Sequence, residues 1–435
     1  MTDRLSLFPL TAEVSDRGHL VVGGCDTVDL ATEFGTPLYV FDDFTLRHKC
    51  REFVAEFGQR YTGTGVVYAG KAFINRAIAL LLEEEGLGLD AVSAGEMAIA
   101  HSAGFPFDRV YFHGNNKAAN EVKLALQWQV GRIVVDNLPE LKLVGDLAKE
   151  CGANPDILLR LTPGIDPHTH QYIATGIIDS KFGFSLSRAE EAVALAMSMP
   201  EVNLAGLHFH LGSLIHEVEP YLEAIEATLN FAAEMNRKHA FELTELDIGG
   251  GFAVQYTLDS PAPPISTYAE AITARVTYKC QELGMALPHL VIEPGRAIVG
   301  QAGVALYTVG VVKDIPGVRC YVSVDGGMAD NIRPALYGSE YEAVVATKMR
   351  EKATDTVTIA GRFCESGDIL IRDIALPSIN AGDIIAIPDC GAYCLPMASN
   401  YNAFLRPAIV LVREGEARLI RRRETFDDLT RCDLV

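Results

Sequence analysis

Val66-Val67-Tyr68-Ala69-Gly70-Lys71-Ala72-Phe73 is a short apolar strand that runs straight into a lysine. An amphipathic helix is expected directly behind it, over 75–85. The same unit of apolar strand, loop and helix then recurs. Strands are expected at 66–71, 88–93, 109–114, 132–137, 156–162, 204–212, 245–251 and 289–295, with helical patterns such as 94–103, 120–129, 139–151, 188–199, 220–239 and 268–283 between them. Eight strands separated by helices fit a closed parallel α/β barrel of the TIM type, or else a doubly wound open sheet. The polar residues decide between them. Lys71, Asp90, His113, Arg160, His210, the triplet Gly249-Gly250-Gly251 and Glu293 all fall at or near strand C-terminal ends, and one barrel mouth would collect them.

The pattern changes after Arg296. Short alternating strands are expected at 304–313, 319–325, 356–360, 383–387, 408–413 and 417–422, which read as an antiparallel β domain. Extended pieces before residue 42 would join it. The expected organisation is therefore N-terminal strands over 1–42, a barrel over 43–300 and a C-terminal β domain over 301–435. A chain of 435 residues is long enough for such a division.

Composition narrows the function. With 37 basic against 57 acidic residues the net charge is -20, which disfavours nucleic acid and anionic membrane surfaces as partners. No apolar run approaches the ~20 residues of a membrane span. Nine scattered cysteines without a Cys-x-x-Cys pair suggest reduced thiols in a cytoplasmic enzyme, with neither a disulfide framework nor a zinc site. No metal is expected.

Four segments carry chemistry. An amine such as that of Lys71, held at a partly dry site, loses its proton more easily and can bond covalently to an aldehyde cofactor. The glycine triplet follows the apolar run Leu246-Asp247-Ile248, where it is either a tight turn or a place for backbone N–H groups to approach a phosphate. Glu293-Pro294-Gly295-Arg296 is a turn flanked by opposite charges, or a carboxylate facing a pyridine nitrogen with an arginine beside an anion. In His208-Phe209-His210-Leu211-Gly212-Ser213 the two histidines share a strand face. No third metal ligand with fitting spacing is evident, and a flat imidazole against a flat cofactor ring uses these residues better.

With these segments together, the chain resembles the fold-type III pyridoxal-phosphate decarboxylases over nearly its whole length. The resemblance implies pyridoxal 5'-phosphate as cofactor, with Lys71 as its covalent anchor and His210 stacked on its ring. It also implies Glu293 at the ring nitrogen, Asp90 among the cofactor-binding residues, and Ser213, Gly249, Gly250, Gly251, Gly295, Arg296 and Tyr393 around the phosphate.

Further segments resemble the branch acting on diaminopimelate. In Asn331-Ile332-Arg333-Pro334-Ala335-Leu336-Tyr337-Gly338, Arg333 and Tyr337 would hold the unreacting end of an amino-acid substrate, with Arg296 and Tyr393 sharing it. Cys364-Glu365-Ser366-Gly367-Asp368 resembles a segment that enters the site from the second subunit of a homodimer, so that Cys364 would serve the reacting carbon and Glu365 the distal ammonium. His170-Gln171-Tyr172-Ile173-Ala174-Thr175-Gly176, Ser180-Lys181-Phe182-Gly183 and Glu424-Thr425-Phe426-Asp427-Asp428 point to the same branch. Phe73 and Leu214 depart from its usual asparagine and glutamine. The implied reaction is decarboxylation of meso-2,6-diaminopimelate to L-lysine. The competing expectations are an ornithine- or arginine-type decarboxylase and a regulatory homologue without catalysis.

Overall fold

The strand Thr64–Ala69 is apolar and buried over its last four residues, and it lies parallel to Gly88–Ala91 on one side and to His289–Ile292 on the other. A computed structural model of the chain describes residues 2–165 and 181–434, so His170 to Gly176 and Ser180 lie outside the described residues. Pairing continues in chain order through Val110–Phe112, Arg132–Val135, Asp156–Thr162, Asn203–Phe209 and Glu245–Asp247, and returns to His289–Ile292. Eight parallel strands thus close on themselves, which leaves the barrel without an edge. Val67, Tyr111, Val134, Leu158, Ala205 and Val291 fill its interior.

Three barrel helices start where a side chain caps them. Asn75 Oδ1 accepts the Ile78 N–H at 2.9 Å ahead of Arg76–Glu84, and Ser93 and Asn137 do the same for Ala94–Ser102 and Leu138–Cys151. At the strand starts, Arg132 pairs with Glu245 and with Asp156, each at 2.9 Å, and Tyr111 donates to Glu245 at 3.0 Å. That network closes the end of the barrel opposite the candidate residues.

The described residues divide into two units. One comprises Cys50–Ala253 and Ala262–Gly295, and the other the chain up to Lys49, Val254–Pro261 and everything from Arg296 on. The second unit is a mostly antiparallel β structure built on the thirteen-residue strand Gly303–Ile315, which pairs antiparallel with Arg319–Val324, Ile384–Ile387 and Leu38–Asp42. Two pairings are parallel: Leu38–Asp42 with Ala408–Arg413, and Arg319–Val324 with Asp355–Ala360. Its core packs Leu20, Leu38, Val40, Val304, Leu306, Ala386 and Val410.

The two-residue pieces Glu13–Val14, Phe184–Ser185 and Val344–Val345 were not expected from the sequence pattern, and the longest strand not expected from it is Ile369–Leu376. Its alternation breaks at Arg372-Asp373, where both residues are exposed, Asp373 has φ +50°, and the pairing with Asp355–Ala360 shifts register. A bulge of this kind disrupts the period of two that reveals a strand.

Candidate active site

The expected barrel strands stop earlier than their apolar runs, and the functional residues lie just beyond them. Lys71 sits in a 3-10 turn, Gly70–Ala72, rather than at the strand end itself. A Cβ on Gly70 would stand 2.8 Å from the Asp90 carbonyl, so glycine lets the turn close against the neighbouring strand. Lys71 Nζ lies 3.1 Å from Asp90 Oδ2, with the carboxylate fully buried and the amine partly open. Phe73 turns inward, where its carbonyl accepts the Tyr68 hydroxyl at 2.7 Å.

Glu293 follows the last barrel strand and is placed by its N–H, which donates to the Gly249 carbonyl at 2.9 Å. It is buried, with His113 Nε2 at 2.7 Å and His208 Nε2 at 3.5 Å. Burial pushes the Glu293 carboxyl up, but the two histidines outweigh it and hold the group well below the ordinary range. Asp247 is also fully buried. Burial, then the charge of Glu293, holds its carboxyl well above the ordinary range, while its Oδ1 accepts the Gly249 N–H at 2.8 Å. One negative charge thus resides on this carboxylate pair, and it sits on Glu293. Burial lowers His208 to about 3, so its imidazole is neutral.

His113, His208, Asp247 and Glu293 each offer a ligand atom within 4.8 Å of the others. Reading along the chain found no such set, because the four residues lie in, or directly after, four separate strands. Sequence alone also missed Glu96, which accepts the Val92 N–H at 2.7 Å and is pushed up to about 7 by burial, with the charge of Asp90 adding to the rise.

His210 lies beyond its strand and is partly accessible. Its Nδ1 accepts the Gly250 N–H at 3.2 Å, which leaves Nε2 as the protonated nitrogen of the neutral ring. Burial and then the Lys71 ammonium hold it well below the ordinary histidine range. The histidine therefore presents a neutral face. The glycine triplet cannot carry side chains: a Cβ on Gly250 would meet the Glu293 carbonyl at 2.2 Å, and one on Gly251, at φ +106°, the Gly212 carbonyl at 2.8 Å. Ser213 is exposed beside them, and Leu214 takes a left-handed φ of +57°. Arg160 sets its guanidinium 4.4 Å from the Phe182 ring centroid.

These residues fit pyridoxal phosphate. They supply an amine on a buried acid, an ionised carboxylate among imidazoles, a neutral flat ring, and a backbone cradle that side chains would block.

The β unit gathers a second set. Arg296 opens a short helix, Arg296–Val299, and its Nη1 donates to the Tyr256 hydroxyl at 2.6 Å while its guanidinium lies 4.6 Å from the Tyr393 ring centroid. Tyr393 itself has φ +61°. Arg333 is buried, and its Nη1 donates to Tyr256 at 2.9 Å and to Tyr341. The Tyr341 hydroxyl lies 3.7 Å from Cys394 Sγ. Arg333 is therefore not the surface charge that its position in a polar segment would allow. Tyr337, by contrast, is 64% exposed, and Cys364 and Glu365 are exposed on a loop held by the Cys364 N–H donating to Asn402 Oδ1 at 2.9 Å.

Comparisons with known proteins agree with this chemistry. The pyridoxal binding domain of the pyridoxal-dependent decarboxylases matches residues 45–300. The diaminopimelate decarboxylase of Bacillus subtilis is 46% identical over 426 residues, which cover 98% of this chain and 97% of the relative. The chain belongs to the diaminopimelate decarboxylase family. Among solved structures, the diaminopimelate decarboxylase of M. jannaschii in co-complex with L-lysine superposes with a TM-score of 0.92 at 35% identity, covering 98% of each chain. The Helicobacter pylori diaminopimelate decarboxylase complexed with L-lysine gives 0.85 at 31% identity, covering 93% of this chain and 98% of that one. Membership in the diaminopimelate decarboxylase family accounts for both the barrel and the β unit, since the matches run through both. Among the described residues no helix is long and apolar enough to cross a membrane.

Proposed function

We propose that this protein removes the carboxylate from the D-configured centre of meso-2,6-diaminopimelate, giving L-lysine and CO2 as the last step of lysine biosynthesis. The observation that carries the substrate assignment is the convergence of Arg296 and Arg333 on one buried hydroxyl. Two guanidinium groups held together are suited to a carboxylate. Ornithine and arginine side chains carry no such group.

Bound at the barrel, pyridoxal phosphate supplies an electron sink for the pair released when the Cα–carboxylate bond breaks. Lys71 would anchor it, with Asp90 orienting the Lys71 amine. Glu293, kept ionised by His113 and His208, would hold a proton at the ring nitrogen. His210 would offer its neutral imidazole to the ring. Ser213, Gly249, Gly250, Gly251, Gly295, Arg296 and Tyr393 would hold the phosphate, and Arg296, Arg333, Tyr337 and Tyr393 the distal end of the substrate. The proton returned to the reacting carbon comes from Lys71 or from Cys364 of the partner subunit.

The proposal includes a homodimer with shared sites. Tyr337, Cys364 and Glu365 are open to solvent in a single chain, and substrate-binding groups need to be drier than that to discriminate. A second copy would cover them, with Glu365 of the partner subunit meeting the distal ammonium. A cytoplasmic location is part of this reading, and it rests on nine scattered cysteines without a Cys-x-x-Cys pair.

The test is kcat/KM for meso-diaminopimelate, ornithine, arginine and lysine, in the intact protein and in Arg333→Ala. The first substrate should win in the intact protein, and the variant should lose roughly ten- to a hundredfold of that preference, as expected for one charge-assisted bond. A preference for ornithine or arginine would overturn the substrate assignment while leaving the decarboxylase chemistry intact.

A further inference from the structure

Tyr256 lies in a loop segment that sequence reading passed over. Its hydroxyl oxygen accepts from Arg296 Nη1 at 2.6 Å and from Arg333 Nη1 at 2.9 Å, and the two guanidinium carbons lie 5.6 and 4.8 Å from the centroid of its ring. The side chain is only 9% exposed. A phenol has two acceptor lone pairs and one proton to give. Both acceptor positions are taken by arginines, and among the described residues nothing accepts the proton. A buried donor without an acceptor is costly. The two groups that bond to this hydroxyl are cations, which are donors only; the charge of Asp389 reaches the phenol, but among the described residues no hydrogen bond joins the two.

Burial raises the Tyr256 pKa, and the two arginines only partly oppose this, so the hydroxyl keeps its proton near neutrality. The Tyr341 ring lies edge-on to Tyr256 at 5.2 Å between centroids, and its hydroxyl accepts from the same Arg333 nitrogen. It fixes Arg333 beside Tyr256 without accepting the Tyr256 proton.

We infer that Tyr256 is a specificity-determining residue, which holds Arg296 and Arg333 together through its two acceptor positions and donates its O–H to the distal carboxylate of the substrate. The inference rests on the proposed function, in which that carboxylate is the group these arginines recognise. A neutral hydroxyl between two guanidinium groups separates like charges without cancelling them. Asp389 acts on both arginines, but burial holds its carboxyl well above the ordinary range, which leaves the positive charge of the cluster for an anion.

The experiment compares two amines bound by the cofactor-loaded enzyme: L-lysine, which keeps the distal carboxylate, and 1,5-diaminopentane, which is the same molecule without it. Dissociation constants are measured for the intact enzyme and for Tyr256→Phe. The intact enzyme should prefer lysine. Tyr256→Phe should weaken lysine roughly ten- to a hundredfold and leave diaminopentane and pyridoxal phosphate affinity within about twofold.

If the intact enzyme does not prefer lysine, the carboxylate-recognition reading fails, and this inference fails with it. If lysine is preferred but Tyr256→Phe binds it as well as the intact enzyme does, only the role of Tyr256 is overturned. Equal weakening of both amines would mark a purely structural tyrosine, and loss of pyridoxal phosphate affinity would assign the hydroxyl to the phosphate; either result overturns the inference. Tyr256→Gln, which retains an acceptor and a donor, should recover part of the lysine affinity. It keeps the test valid if the phenylalanine variant folds poorly.

Discussion

Nζ of Lys71 lies 3.1 Å from Oδ2 of Asp90, a carboxylate with no exposed surface. A buried carboxylate needs a charged or hydrogen-bonding partner, so this contact aims the lysine at one point of the barrel mouth. Reduction of the cofactor-loaded enzyme with borohydride, followed by peptide mass spectrometry, should place the pyridoxyl group on Lys71. Lys71→Ala should lower kcat by roughly three orders of magnitude or more, as removal of a covalent catalyst does. A label on another lysine would refute the assignment.

Glu293 should be the most sensitive carboxylate of the barrel. Glu293→Gln keeps the shape but removes the negative charge that His113 and His208 support. With no anion to hold the ring-nitrogen proton, kcat should fall about 10²- to 10³-fold, by analogy with loss of one preorganised electrostatic group. KM should change much less. Steady-state kinetics on the loaded variant separate the two.

Glu96 predicts a pH dependence of stability. Its carboxyl rises from an ordinary 4.5 to about 7 in the folded chain, so folding favours its protonated form. The stability gained is complete below pH 4.5 and is lost as pH rises through about 7. The effect is at most roughly 3 kcal/mol. Glu96→Gln is neutral at every pH and keeps an acceptor for the Val92 N–H. Its Tm relative to the parent should therefore improve between pH 4.5 and 7, and a flat difference across that range would contradict the assignment.

Shared sites predict complementation. Lys71→Ala and Cys364→Ala subunits, each inactive alone, should regain up to roughly a quarter of wild-type activity on random reassortment, because half of the dimers are hybrids with one intact site in two. Hybrids that form, as judged by differently tagged subunits, yet stay inactive would argue against sharing.

Much of the barrel was legible along the chain because each strand and its helix carry their own periodicity and caps. Lys71, the glycine triplet and Glu293 stood out for the same reason, since each closes an apolar run. The strand Ile369–Leu376 did not stand out because a bulge at Asp373 breaks its alternation. Tyr256 did not because nothing in a loop tyrosine announces two arginines, one of them 77 residues away.

The sequence by itself determined the order of strands and helices, the family, and which residues carry amine, imidazole and carboxylate chemistry, because those depend on local pattern and residue type. Only the tertiary structure decided which groups share a charge and which keep a proton. Closing eight strands brings His113, His208, Asp247 and Glu293 within 4.8 Å of one another. The two histidines then keep the charge on Glu293 against its burial, while burial and that charge hold Asp247 above the ordinary range. Protonation follows desolvation and neighbouring charge, and both come into being only when distant segments meet.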